Sequence, residues 1–180
     1  MLQTLAISID GITPILMNRY TGDERRVEKM EALTPEEAQL YANEHAYLDK
    51  DGSPYIPAAN LQQALIGGGS FCKGKGRGNL SRIVAAALQI REAEIPIHAG
   101  PPSIFRNMRK NPSTGGKMLQ YRVRIDTPWR ATFTIVWDDK LLAVTQVREI
   151  VEAAGIRCGL MDWRPQKRGP YGQFRQVEQP

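Results

Sequence analysis

Two stretches of the chain set cations between glycines. The first, GGGSFCKGKGRGN (67–79), alternates Lys73, Lys75 and Arg77 with Gly74, Gly76 and Gly78. Glycines expose backbone N–H groups, the cations add charge, and a helix start follows at Asn79, so this segment can cradle a phosphate. It is not a Walker loop, because it has neither the GK[ST] ending nor an immediately preceding strand. Its bland alternative is a solvated connector. The second stretch, GIRCGLMDWRPQKRGPYGQF (155–174), carries Arg157, Arg164, Lys167 and Arg168, with Arg175 just beyond it. Trp163, Tyr171 and Phe174 are interleaved with these cations. Single-stranded nucleic acid needs both residue types, cations to hold the backbone and rings to stack on unpaired bases. Phe174 reads as a core residue, whereas Trp163 and Tyr171 read equally well as core or as stacking rings.

Catalytic groups are sparse. The only histidines are His45, on the Ala38–Tyr41–Ala42 side of a helix, and His98, after a strand. Either is a candidate general acid or base for RNA cleavage, but neither has an evident partner. Asp126 follows Arg124 at a strand end and reads as its ion-pair partner. Asp138-Asp139 reads as a turn. Cys72 and Cys158 form neither a disulfide framework nor a zinc pattern, and no histidine stands near them as a base. No cofactor and no metal are implied, and no catalytic residue is assigned.

The charge distribution favours a polyanion partner. The net charge is +5 over 180 residues. Residues 1–70 hold five Lys/Arg and ten Asp/Glu, a net of −5, and residues 71–180 hold nineteen and nine, a net of +10. Such asymmetry points to a basic face. A 42% hydrophobic content excludes wholesale disorder, and no apolar run has the length of a membrane span. The N-terminus alternates and lacks a signal-peptide core. These features describe a soluble protein of a reducing cytoplasm.

The elements that position these residues follow from periodicity. Leu5, Ile7 and Ile9 alternate with polar neighbours as a half-buried strand. Residues 21–33 are highly charged and read as a surface excursion. Thr34-Pro35-Glu36-Glu37 is a capped helix start, with the helix running to about Tyr47. Pro57 begins a second helix, which Gly67-Gly68-Gly69 should end. Asn79 caps a third, with Leu80, Ile83, Val84, Ala87 and Leu88 inward. Residues 88–97 read as a strand. Residues 100–118 read as a loop rich in proline, glycine and base, with Arg106, Arg109 and Lys110. Leu119 to Asp126 alternates, which places Arg122 and Arg124 on its polar face. Ala131, Phe133, Ile135 and Trp137 give its antiparallel partner. An amphipathic helix from Val144 to Ala154 and a strand from Tyr171 to Val177 close the chain. The order fits an α+β, ferredoxin-like (RRM-like) antiparallel sheet with helices on one face and extended basic loops, in one domain over residues 1–180.

Three features together resemble the RAMP superfamily, which includes ferredoxin-like backbone and processing subunits of CRISPR complexes. The segment Tyr55-Ile56-Pro57-Ala58-Ala59-Asn60-Leu61-Gln62-Gln63-Ala64-Leu65 is similar to the family's YIPGSSLKGALR pattern. The glycine-rich loop from Gly159 to Gly172, between the last helix and last strand, is the second feature. The opening strand that leads into G-x-T-P-I-L-M is the third. The chain departs from the pattern at Asn60, where the family has a small hydroxyl, and at Gln62, where it has a base. Asp162-Trp163-Arg164-Pro165 also stretches the glycine loop. With its short length, the chain is similar to a stand-alone relative carried by a phage or mobile element in a bacterial cytoplasm. The resemblance implies RNA or single-stranded DNA as partner and side-by-side assembly into a homo-oligomer or filament. It also implies a thumb-like hairpin near 100–118. The expected interface is Lys73, Lys75, Arg77, Arg106, Arg109, Lys110, Arg122, Arg124, Trp163, Arg164, Lys167, Arg168 and Tyr171. A metal-independent ribonuclease and a small- or cyclic-nucleotide binder are the alternatives.

Overall fold

The computed structural model describes residues 1–22, 33–76, 78–110 and 115–177, without the side chains of residues 109 and 118. Most of the charged 21–33 segment, Arg77 and the Arg109 side chain therefore lie outside the described residues.

The alternation at the N-terminus forms β1 (Leu2–Gly11), which sits inside the main sheet. β1 pairs antiparallel with β8 (Trp129–Asp138) from Leu2↔Asp138 to Asp10↔Arg130, and with β9 (Phe174–Val177) on its other side. β8 in turn pairs with β4 (Leu88–Ile90) and β5 (Glu94–Ala99), and β5 with β3 (Tyr55–Pro57). The order β3-β5-β8-β1-β9 is the ferredoxin-like arrangement. α2 (Ala58–Gly69) and α3 (Ser81–Ala87) fill the first crossover and α4 (Val144–Ala153) the second. β8 shows how the sequence drives this. Trp129, Ala131, Phe133, Ile135 and Trp137 are buried in strict alternation, because period two places them on one face. Leu61, Ala64, Leu65, Val147, Ile150 and Val151 are the buried helix residues that share the core. No described helix is long and apolar enough to cross a membrane.

The first helix, α1 (Pro35–Glu44), begins as its sequence dictates. Thr34 Oγ1 accepts from Glu37 N at 3.3 Å, and Glu37 Oε2 accepts from Thr34 N at 2.9 Å. The helix stops at His45, short of Tyr47, where the ring stacks on Tyr41 at 4.3 Å and Nδ1 meets Tyr41 O at 2.8 Å. Thr34→Ala should cost about 1 kcal/mol through loss of the cap, read as a lower urea midpoint at unchanged m-value.

Six sequence expectations are corrected. Gly67, Gly68 and Gly69 lie inside α2. A Cβ at Gly68 would stand 2.6 Å from Ile150 O and 2.7 Å from Ala154 N, so Gly68 lets α2 and α4 touch through their backbones. Residues 88–97 are two strands, because the Glu92 carboxylate accepts from Thr134 N at 2.8 Å and the chain steps out of the ladder there. Residues 103–110 are a strand, β6 (Ser103–Lys110), paired along its length with β7 (Lys117–Ile125) as a hairpin. β7 does not pair with β8. It joins β6 and β2 (Ile15–Leu16) in a separate sheet of order β2-β7-β6. The last strand starts at Phe174, which leaves Tyr171 in the preceding loop. Finally, α3 starts at Ser81 with no side-chain cap at Leu80, although Asn79 Oδ1 does accept from Ser81 N at 3.1 Å.

Candidate nucleic-acid interface

The loop between α4 and β9 is tied down along its base. α4 widens into a π-turn over Ala154–Cys158, and Gly159 turns the chain at φ 68°. Leu160 N then donates to Gly172 O at 2.9 Å, Gly172 N to Pro14 O at 2.8 Å, and Asp162 N to Leu16 O at 2.9 Å. Asn60 Oδ1 accepts from Met161 N at 3.0 Å, which fastens the loop to α2. Gly172 has φ 73°, and a Cβ there would run into Leu160 O, so glycine is required at that crossing. A short 3-10 turn, Pro165–Lys167, leaves Lys167 and Arg168 exposed at the tip. Arg164 is half-buried and serves the loop itself. Its Nη1 donates to Met161 O at 2.8 Å, and its Nε and Nη2 donate to Gln166 Oε1 at 3.3 and 3.1 Å.

This loop lies against the β6–β7 hairpin and builds a row of rings. Trp163 and Tyr171 are 5.6 Å apart between centroids, and Tyr171 meets Phe105 edge-on at 5.8 Å. The Arg124 guanidinium lies 5.9 Å from the Phe105 centroid. All four side chains are half-buried, so each keeps an accessible part. Phe105 is absent from the sequence-based interface. Its signal was the alternation of β6, hidden by Pro101, Pro102 and the interleaved bases.

Arg122 requires a correction. Its polar face of β7 is covered by the loop, and its side chain is only 7% exposed. Nε lies 3.5 Å from Asp162 Oδ2, and Nη1 donates to Tyr121 O at 3.1 Å. Arg122 therefore positions Asp162 and has no open access to a phosphate. Arg124 pairs with Asp126 at 2.7 Å, and Asp126 also accepts from Ser103 Oγ at 3.2 Å, so the aspartate is a strand-end ion-pair partner. By register, Arg106 and Lys110 share the opposite face of the hairpin from Phe105, and both are exposed.

The first glycine loop leaves α2 beside the same region. A Cβ at Gly67 would stand 2.8 Å from Cys158 Sγ and 3.1 Å from Gln166 Nε2. Within the loop, Gly74 N donates to Gly78 O at 3.0 Å and Gly78 N to Lys75 O at 3.2 Å. These amides are spent inside the turn, which corrects their reading as phosphate donors. Lys73 and Lys75 are exposed and carry its positive charge. His45 stacks at the end of α1, while His98 is exposed on β5 opposite Arg130, so different elements hold the two histidines. Cys72 and Cys158 are buried, and burial pushes both thiols up from the ordinary range. Among the described residues no cluster of His, Cys, Asp and Glu suits a metal ion.

No protein-family model and no curated protein matches the chain. Solved structures do. One is a chain of the Type III-B Cmr-beta complex bound to cognate target RNA, with a TM-score of 0.61 at 13% identity. The match covers 98% of this chain and 59% of that one, so the chain spans under two thirds of that relative's length. Another is Cmr6 from Pyrococcus furiosus, with a TM-score of 0.50 at 8% identity, covering 98% of this chain and 99% of that one. The likeness is one of fold: the chain shares the ferredoxin-like α+β fold of these structures.

Proposed function

We propose that the chain binds single-stranded nucleic acid, RNA foremost, through its sugar–phosphate backbone as one component of a multi-subunit assembly. The observation that carries this reading is the half-buried row Trp163–Tyr171–Phe105 with exposed Lys167 and Arg168 on the same loop. Unpaired bases stack on such rings while cations track the phosphates. Lys73 and Lys75 extend the charge on the neighbouring loop, and a strand that passes round the hairpin to its other face meets the exposed Arg106 and Lys110. The Cmr-beta complex, bound to target RNA, supports RNA over DNA as the first ligand to test. Side-by-side assembly on one strand fits the family resemblance, and electron microscopy of the protein with a long single strand tests it.

Tyr171 contacts both other rings, so it is the residue to change. Tyr171→Leu should weaken binding of labelled single-stranded RNA by roughly tenfold, within the about 1–3 kcal/mol of one base–ring stack. Fluorescence anisotropy at fixed salt reads this. Unchanged affinity in a folded variant would remove the stacking role.

A further inference from the structure

Beside the ring row lies a polar cavity of about 160 Å3, lined by Asn18, Tyr47, Asn60, Met161, Asp162 and Arg164. It is smaller than the roughly 300 Å3 and above of a drug-sized ligand site and suits one planar ring. Its wall is built with care. Met161 and Trp163 hold φ of 63° and 49°, left-handed backbone that non-glycine residues adopt at a cost. These two strained residues flank Asp162. They let Asp162 line the cavity while Trp163, the next residue, stacks on Tyr171.

The hydrogen-bonding groups in the wall are largely assigned. Asp162 Oδ2 takes the Arg122 guanidinium and Oδ1 accepts from Trp163 N at 2.9 Å, so the carboxylate is fixed in orientation. Each oxygen retains a second acceptor site, and the two lie side by side. Asn60 must present Oδ1 to the Met161 N–H, because that partner is a donor, and its NH2 remains as a donor in the wall. The site thus pairs two adjacent acceptors with an amide donor. Among the common bases only guanine carries two adjacent N–H donors on its Watson–Crick edge, N1–H and N2–H, beside a carbonyl acceptor at O6.

We infer that this cavity is a base-reading pocket that takes one unpaired guanine splayed out of the bound strand, with Asp162 accepting from N1–H and N2–H and Asn60 donating to O6. The inference rests on the single-strand-binding reading and adds to it a preference at one position. The backbone contacts remain indifferent to sequence. Bases read in single strands are commonly splayed out, stacked on rings and hydrogen-bonded on this edge. A pocket built for such donors rejects a base that leaves its polar groups unpaired.

The test compares three short labelled RNAs: oligouridine, the same strand with one central guanosine, and the same strand with one central adenosine. The wild-type protein should bind the guanosine strand about tenfold tighter than the other two, the discrimination of one good bidentate contact. Asn60→Asp keeps the acceptor for Met161 N–H but sets a second carboxylate against O6 where the amide donor stood, and that repulsion offsets the Asp162 contact, so the ratio between the strands should fall to near one. Equal affinity of the wild-type protein for all three strands overturns the pocket and leaves backbone binding standing. Absence of binding to every strand overturns the single-strand reading and the pocket with it.

Discussion

Replacing Lys73, Lys75, Lys167 and Arg168 together with alanine should lower affinity for single-stranded RNA by about several hundredfold near 0.1 M salt and hardly change it near 1 M. The reasoning is counterion release. Each phosphate neutralised on a single strand contributes about 0.7 to the slope of log affinity against log salt. Six such contacts give a slope near −4, and losing four leaves about −1.4. All four side chains are exposed, and surface changes of this kind usually shift stability by about 0.5 kcal/mol or less. A loss of binding at low salt therefore reports on the interface and not on folding, and circular dichroism of the variant checks that. A variant that keeps the full slope would place the phosphate contacts elsewhere.

The largest expected effect on stability comes from a single methyl group. Gly68→Ala places a carbon 2.6 Å from Ile150 O and 2.7 Å from Ala154 N, where the obstacle is the backbone of α4 and its π-turn. Neither group can swing aside as a side chain would. Overpacking of a tight core commonly costs about 1–3 kcal/mol, and a backbone collision belongs at or above the upper end. For a chain of this size, about 3 kcal/mol lowers the melting temperature by roughly 6–12 °C. Gly100→Ala is the control. No atom lies within 4 Å of a Cβ there and its φ is not in the left-handed region, so melting should stay unchanged or rise slightly. Equal melting of both variants would show that α2 and α4 do not meet through Gly68.

These effects also mark where the sequence was readable. β8 alternates buried and less buried residues along its whole length, α4 buries the stripe Val147, Ile150 and Val151, and β1 buries Ile7 and Ile9, so each forms where its period says. β6 defeated the pattern because only part of it is packed: Ile104 is half-buried, whereas Arg106, Met108 and Lys110 on the same face are exposed. With Pro101 and Pro102 in front of it, the stretch reads as a loop. Arg122 misled for the opposite reason. A cation on the outer face of a strand reads as solvated, and only the tertiary placement of the glycine loop over that face buries it against Asp162. The triple glycine reads locally as a helix stop, while its use is close approach of a distant helix. Trp163 and Tyr171 were visible as rings among cations. Phe105 entered only when the hairpin met the loop, since its partner Tyr171 is 66 residues away in sequence. Asn60 stood out as a departure from the family pattern, and its contact with Met161 ties that departure to the stretched loop.

The most direct test of the account is the equilibrium affinity of the folded chain for labelled single-stranded RNA across a series of salt concentrations. The account predicts binding at low salt that weakens linearly on a log–log plot with a slope near −4, and weaker binding of duplex RNA, whose bases are not free to stack. Folded protein that binds no single strand at low salt, or binds it with no dependence on salt, would contradict it.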